Sequence, residues 1–258
     1  MSDRSYGWRR HLPDQRDHLF SLAEPSGVAL PPSIDLRLTN DPPIYDQGAL
    51  SSCTANAIAD LLEHEHLRLG ELDPPHPSRL FLYYITRDLE GWPDRDIGAY
   101  LRDGFKALRT SGICPESEWP YDHLDTRVNQ RPPDECYLNA VNFETLQYRS
   151  LPQALDALKG SLVAGLPFVF GFSVYESFES AEVAATGLVP LPLLTERLLG
   201  GHAVICLGYE DNTRSFLCRN SWGTGWGLPS APGHFLLPYD YVTNPNLAAD
   251  FWGIAFVP

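Results

Sequence analysis

Three segments of the sequence carry side chains that can act together in nucleophilic catalysis. The first, "YDQGALSSCTANAIADLLEH" (Tyr45 to His64), places Cys53 at the start of a run with apolar residues at helical spacing. A cysteine attacks as a thiolate, and the macrodipole and unpaired N–H groups of a helix N-terminus stabilise that anion. This position favours a reactive thiol, although a lone cysteine is more often a buried and inert core residue.

The other two segments supply a base and an amide. "LGGHAVICLGYED" puts His202 at the start of an apolar strand, and "RNSWGTGWG" puts Asn220 at the end of the next one. Consecutive strands are usually neighbours, so the two side chains can lie side by side. An amide oxygen that accepts the imidazole N–H fixes the ring and leaves its other nitrogen for a thiol. Taken alone, His202 is more simply a structural histidine. A glycine-rich hairpin with aromatic packing is the alternative for "NSWGTGWG", but it accounts poorly for the full string.

The elements that must position these residues change character along the chain. Helical periodicity predicts a helix from Cys53 to near Gly70, and two more in the segments 77–91 and 99–112, both of which stop at glycine. After residue 140, one short helix in "LPQALDALKGSLVAGL" precedes five strand-like runs: "PFVFGFSV", "HAVICLGYED", "SFLCRNSW", "GHFLLPYDYV" and "WGIAFV". Helices first and strands second predict an α+β fold.

We divide the chain into an N-terminal arm and two lobes of one catalytic domain. The arm, residues 1–32, is polar, arginine-rich and predicted to be extended on the surface. Residues 33–140 form the helical lobe that carries the nucleophile, and residues 141–258 form the β-rich lobe that carries the histidine and asparagine. A cleft between two lobes is the usual place for a ligand or substrate site.

The amino-acid composition and net charge of the chain limit the kinds of molecule that it could bind. The 258 residues are 43% hydrophobic, which is enough for a sizeable core, and the formal net charge is −14. Such an acidic chain is unsuited to nucleic acid or to an anionic membrane surface, and no apolar run is long enough to cross a bilayer. The charged N-terminus lacks a signal-like apolar region, and the five cysteines have no regular spacing. These features predict a cytoplasmic protein.

The sequence also predicts the absence of a metal or cofactor. No pair of cysteines has CxxC spacing and no HExxH zinc motif occurs. Cys206 and Cys218 alternate with apolar neighbours on two strands and are expected in the core, whereas Cys114 and Cys136 are expected in half-exposed loops.

These motifs together resemble the papain-like cysteine peptidases of the C1 type. The order Cys, His, Asn matches, as do "QG" at a fixed distance before the cysteine, "GHAV" with "GY" around the histidine, and "NSWGTGWG" at the asparagine. "SGICPESEWPYD" and "DLR" also resemble family segments, so the similarity runs from about Pro31 to the C-terminus. The resemblance implies a papain-like fold, with a helical left lobe, a right lobe like an antiparallel β-barrel, and the cleft between them.

The resemblance also implies roles for individual residues. Cys53 would be the nucleophile, His202 the base and then the acid, and Asn220 the orienting residue, while Gln47 would donate to the oxyanion together with the Cys53 N–H. The residues that would bind an extended peptide or protein substrate line the cleft: Gly98, Ala99, Gly201, Trp222 and Ser52. No cofactor is implied.

Several positions depart from the family pattern. Leu50 replaces a cysteine that usually forms a disulfide, and Thr54 and Ser51 replace the usual tryptophan and glycine beside the nucleophile. Ala99 replaces a glycine of the substrate edge, and Gly201 replaces a larger residue, which would open the neighbouring pocket. A long propeptide is absent, so control by a removable inhibitory domain is not expected. The arm could lie across the cleft, but packing on the β-rich lobe is the favoured alternative.

Three functions are compatible with these residues. The leading hypothesis is a thiol endopeptidase that cleaves peptide bonds through a thioester. The same thioester could pass to an amine, which would give a ligase, cyclase or transpeptidase, and no residue separates these fates. A silent binding module of the same fold would usually have lost the cysteine, histidine or asparagine. The sequence does not predict the oligomeric state.

Overall fold

We describe a computed structural model of the chain. It describes all residues except 1–3, 13, 15–16, 18–29, 39–40, 72–73, 75, 122–126, 141–145 and 257–258, and most of the predicted arm therefore lies outside the described residues. No helix in the described part is both long enough and apolar enough to span a membrane.

Four helices form one side of the molecule: α1 (Cys53–Arg68), α2 (Arg79–Glu90), α3 (Leu101–Ser111) and the short α4 (Asp134–Leu138). The three long helices agree with the predicted periodicity. The Ser78 hydroxyl accepts the Phe81 N–H and so caps the start of α2. Gly91 ends α2 with a φ of 88°, in the left-handed region that glycine adopts without steric cost.

The other side is built on an antiparallel sheet. Its strands are β1 (Ser33–Asp35), β2 (Leu146–Ser150), β3 (Phe168–Tyr175), β4 (Leu198–Glu210), β5 (Ser215–Arg219), β8 (His234–Pro238) and β9 (Ala248–Phe256). A separate ribbon pairs β6 (Gly227–Leu228) with β7 (Ala231–Pro232). Short helices complete it: α5 (Leu155–Val163), a 3₁₀ turn (Glu176–Glu179), α6 (Ala181–Thr186) and α7 (Tyr239–Val242).

The order of the strands corrects one expectation. They pair in the order β2, β9, β3, β4, β5, β8, with β1 beside part of β4, so the sheet is open and does not close into the predicted barrel. Because β1 pairs with β4, residues 33–35 belong to the sheet rather than to the helical half.

The sheet separates two apolar cores. Alternate residues of β4 face opposite sides, so that Ala203 and Ile205 pack with α1, α2 and α3, whereas Val204 and Cys206 pack with the phenylalanines of β3. The start of α1 therefore lies against the first half of β4, where the predicted histidine is.

Candidate active site

The predicted nucleophile is the first residue of α1. Cys53 is fully buried, and the nearby backbone N–H groups of Ala203 and Thr54 act to lower the pKa of its thiol. Since Ala203 directly follows His202 on β4, this proximity joins the two lobes at the two residues expected to react. The sequence could place the thiol at a helix start, but only the fold brings β4 to it.

The His202 ring is held as predicted. Its Nε2 lies 2.8 Å from Asn220 Oδ1, which also accepts the Ser221 N–H at 2.9 Å. Among the described residues, the buried His202 Nδ1 has no hydrogen-bond partner. The indole of Trp222 lies 5.0 Å from the imidazole, between centroids, and covers it. The arrangement fixes one ring nitrogen and leaves the other available for proton transfer.

Gln47 is fully buried, and a hydrogen bond to its amide oxygen fixes the orientation of the amide group. Its Oε1 accepts the Ser221 hydroxyl at 2.7 Å, which turns Nε2 the other way. Nε2 donates to Leu50 O at 2.9 Å and lies 3.4 Å from the carbonyl oxygen of Ser5, in the N-terminal arm. This donor is positioned for an oxygen that enters the cleft. Ser221, which positions it, carried no signal in the sequence beyond its place in "NSWGTGWG".

Ser52 is the one predicted substrate-binding residue whose side chain is engaged elsewhere. It is fully buried, its hydroxyl lies 2.5 Å from the Tyr121 hydroxyl, and it accepts from Asn56 Nδ2 at 3.0 Å. Tyr121 also donates to Gln47 O at 3.0 Å. The Ser52 side chain therefore supports the start of α1 from inside, and sequence reasoning missed Tyr121 as part of this support.

The described part of the arm lies in the cleft. The Ala99 N–H donates to Gly7 O at 2.8 Å, the Arg9 N–H donates to Ala99 O at 3.2 Å, and the Trp8 N–H donates to Gly201 O at 2.9 Å. These residues therefore pack on the β-rich lobe, as the favoured alternative expected, but they also bond to Ala99 on the other side and so lie across the cleft. Unpaired backbone groups of Ala99 and Gly201 offered a template for an added strand, and the arm occupies it.

Glycines, which have no Cβ, permit the arm to approach the cleft this closely. A Cβ on Gly7 would lie 1.7 Å from Ser51 O, and one on Gly98 would lie 2.1 Å from Gly7 O. A Cβ on Gly201 would lie 2.6 Å from Trp8 O. The predicted opening of the pocket by Gly201 is used, in this structure, by the arm.

The Trp8 side chain fills a pocket between the lobes. Its ring covers Gly171, where an added Cβ would lie 1.9 Å from the indole, and its Nε1 donates to Asp250 Oδ2 at 3.0 Å. The same carboxylate oxygen accepts the His11 N–H at 3.0 Å. Burial raises the pKa of Asp250. Sequence reasoning missed this residue, which lies in the last strand far from every motif.

Further contacts anchor the arm on both sides. The Arg4 guanidinium lies 3.9 Å from the Trp222 ring centroid, and the Tyr6 hydroxyl donates to Glu179. Farther along, Arg9 lies over Trp92 and Tyr100, at 4.8 and 4.7 Å from their centroids. The described arm is therefore bound through side chains as well as through its backbone.

Burial under the arm changes the expected electrostatics. It raises the pKa of Cys53 to about 11, although the N–H groups of Ala203, Gly7, Thr54 and Trp8 oppose the shift. It also lowers the pKa of His202 to about 4, and the charge of Arg4 acts in the same direction. With the cleft filled, the pair is a neutral thiol and a neutral imidazole at pH 7. The sequence predicted a stabilised thiolate because it could not reveal what covers the helix terminus.

Comparison with known proteins identifies a matching family and relatives of similar sequence. A family model described as "Papain family cysteine protease" matches residues 95–236, which is more than half of the chain. An uncharacterized peptidase C1-like protein of Acanthamoeba polyphaga mimivirus is 38% identical over 96% of this chain and 86% of its own length. A cathepsin L-like peptidase of Aedes aegypti is 28% identical over 80% of this chain and 59% of its own length.

A solved structure is similar over the whole fold. Xylellain, a cysteine protease from Xylella fastidiosa, superimposes with a TM-score of 0.91 at 40% identity, covering 100% of this chain and 98% of that one. The procathepsin B S9 of Trypanosoma congolense has a TM-score of 0.73 at 20% identity, covering 99% and 87%, which is a likeness of fold.

Proposed function

The chain belongs to the papain family of cysteine proteases, and we propose that its peptide-bond hydrolysis depends on four side chains: Cys53, His202, Asn220 and Gln47. The observation that carries this assignment is the 2.8 Å contact between His202 Nε2 and Asn220 Oδ1. It is combined with a His202 Nδ1 that has no partner among the described residues, and with the position of Cys53 at the start of α1, which packs on β4.

The proposed reaction follows from these positions. With the cleft open, His202 Nδ1 takes the Cys53 proton and the sulfur attacks the carbonyl carbon of the substrate. Gln47 Nε2 and the Cys53 N–H stabilise the oxyanion. His202 then gives its proton to the leaving amine, and a thioester remains on Cys53. Water, deprotonated by His202, cleaves the thioester and releases the acid.

We propose that the substrate is an extended peptide or protein segment on the edge formed by Gly98 and Ala99. Support comes from the arm, since it is itself an extended peptide that forms two backbone hydrogen bonds with Ala99 and one with Gly201. Trp222 would cover the substrate where it now contacts Arg4. For Ser52 we retain a role through its backbone only, because its hydroxyl is bonded to Tyr121 and Asn56.

The Trp8 pocket suggests a side-chain preference. A pocket that holds an indole and has a half-buried carboxylate at hydrogen-bonding distance favours a large side chain that donates, such as tryptophan, arginine or lysine. A substrate with phenylalanine at the same subsite would fill the space but leave Asp250 without that donor.

We propose that the arm inhibits the enzyme until it leaves the cleft. The arm is held in the cleft by backbone hydrogen bonds with Ala99 and Gly201, so its backbone stands where a substrate would have to lie to reach Cys53. A cytoplasmic location also stays a proposal, supported by five cysteines that are free thiols.

The direct test measures how fast three proteins cleave a fluorogenic peptide library: the parent, Cys53→Ala and His202→Ala. We expect cleavage by the parent alone, with a free carboxyl group on the product. Undiminished turnover by Cys53→Ala would sink the assignment. Repeating the assay with an added amine separates hydrolysis from acyl transfer, because transfer would join the acyl fragment to that amine.

A further inference from the structure

Two thiols outside the cleft form a buried pair. Cys114 lies in the segment after α3 and Cys136 lies in α4, and both are almost fully buried rather than half exposed as their loop positions predicted. Their sulfur atoms and a carboxylate oxygen of Glu118 all lie within 4.8 Å of one another.

We propose that Cys114 and Cys136 are a redox pair that forms a disulfide when the protein meets a disulfide oxidant such as oxidised glutathione. Cys136 first loses its proton to the buffer. This thiolate attacks one glutathione sulfur and releases reduced glutathione. Cys114, once deprotonated, then attacks the Cys136 sulfur of the mixed disulfide and releases the second glutathione. Two thiols are oxidised and one glutathione disulfide is reduced.

The surroundings of the pair favour this reaction. Glu118 is exposed at the pair, so an oxidant can approach from that side. The Cys136 thiol donates to the backbone oxygen of Glu118 at 3.9 Å, and the carboxylate of Glu118 accepts from Asn139 Nδ2 at 3.1 Å. Burial raises the pKa of both thiols, so the reaction is expected to accelerate with rising pH.

The crosslink would close the segment 114–136 into a loop that contacts the catalytic machinery. Within this segment, the Tyr121 hydroxyl contacts Gln47 O and Ser52 Oγ, at the start of α1. Its ring also lies 4.2 Å from the Arg79 guanidinium. A disulfide would therefore hold Tyr121 against Gln47 and stabilise the fold by restricting the unfolded chain.

A second thiol pair in the same chain provides a comparison. Cys206 and Cys218 are directly opposite each other on β4 and β5, and both are fully buried in the phenylalanine core. Because they lie inside a packed core, an oxidant has no path to them without unfolding. The structure thus predicts selective oxidation of the pair near Glu118.

The experiment uses the full chain with Cys53→Ala, so that four thiols remain and the catalytic thiol cannot react. After equilibration in glutathione buffers, we expect two thiols to disappear, the mass to fall by two hydrogens, and proteolysis to yield one crosslinked peptide with Cys114 and Cys136. The thermal midpoint should rise by about 5 °C and fall again on reduction.

Controls distinguish the other outcomes. Adding Cys114→Ser should abolish the crosslink and the thermal shift, whereas adding Cys206→Ala should leave both in place. A persistent glutathione adduct on Cys136, or four unreacted thiols in the folded protein, would overturn the proposal. So would Co²⁺ binding that requires both thiols and Glu118 and excludes the crosslink, since it would assign the cluster to a metal. None of these readouts depends on peptidase activity.

Discussion

The backbone of Ala99 is paired with that of Gly7: its N–H donates to the glycine carbonyl at 2.8 Å, and its own carbonyl accepts from Arg9. The edge that the resemblance assigns to substrates is thus filled by the protein's own N-terminal segment. We therefore expect access to Cys53 to depend on how firmly this segment is held.

Gly7→Ala should release the arm. The new methyl group would lie 1.7 Å from Ser51 O, a backbone atom that cannot move away without shifting the start of α1. Overpacking of this kind costs about 1 to 3 kcal/mol, so we expect kcat/KM to rise by about tenfold. Steady-state assays on a peptide substrate measure it.

Gly225→Ala is the matched control for this change, because a Cβ there meets no atom within 4 Å. Its activity should equal that of the parent. Equal rates for the parent and Gly7→Ala, in a protein whose arm is shown by proteolysis to be displaced, would contradict inhibition by the arm.

The pH dependence of Cys53 alkylation should show whether the arm is in the cleft. In the parent, the raised pKa of about 11 leaves almost no thiolate at pH 6, and the rate should increase with pH up to that value. In Gly7→Ala, water returns to the cleft, both pKa shifts caused by burial diminish, and alkylation at pH 6 should become faster. Iodoacetamide labelling followed by intact mass measures both rates.

The same experiment tests the partnership with His202. In the Gly7→Ala background, His202→Ala should abolish the fast alkylation at pH 6, because the thiol loses the group that takes its proton. If the double variant reacts as fast as Gly7→Ala alone, the histidine does not activate the thiol.

Asn220→Ala should reduce turnover without unfolding the protein. The substitution leaves His202 Nε2 without its acceptor at 2.8 Å, so the ring is free to rotate away from the thiol. Misplacement of a catalytic group by about 1 Å costs about 100-fold, and we expect a loss of that size in kcat. Asn246→Ala, at an exposed position, is the matched control and should retain full activity.

Asp250→Asn should change side-chain preference rather than turnover in general. Asparagine tolerates the positive φ of 59° at this position, so the fold should be preserved. The parent is expected to cleave substrates with arginine or lysine faster than those with phenylalanine at the subsite that Trp8 occupies. In the variant, the ratio of these rates should fall about tenfold. A library varied at that position, assayed in the Gly7→Ala background, measures the ratio.

Asp240→Asn serves as the control for charge, since this carboxylate is exposed and paired with Arg214. An unchanged arginine-to-phenylalanine ratio in Asp250→Asn would show that the pocket selects by shape alone.

Local patterns in the sequence were sufficient to predict the three long helices and to propose the reacting groups. Periodicity and terminal glycines predict α1, α2 and α3, because a helix is specified by residues only three or four positions apart. The motifs around Cys53, His202 and Asn220 likewise need only their neighbours in sequence to be read.

Contacts between residues far apart in the chain were decided only by the tertiary structure. The open sheet, the support of Gln47 by Ser221, and Asp250 beside Trp8 all join segments whose separation leaves no periodic signal. The arm is the clearest case: a short polar segment has no pattern that says which surface it covers. Its place follows from unpaired backbone at Ala99 and from glycines that let two chains approach, which exist as a template only after the lobes have folded.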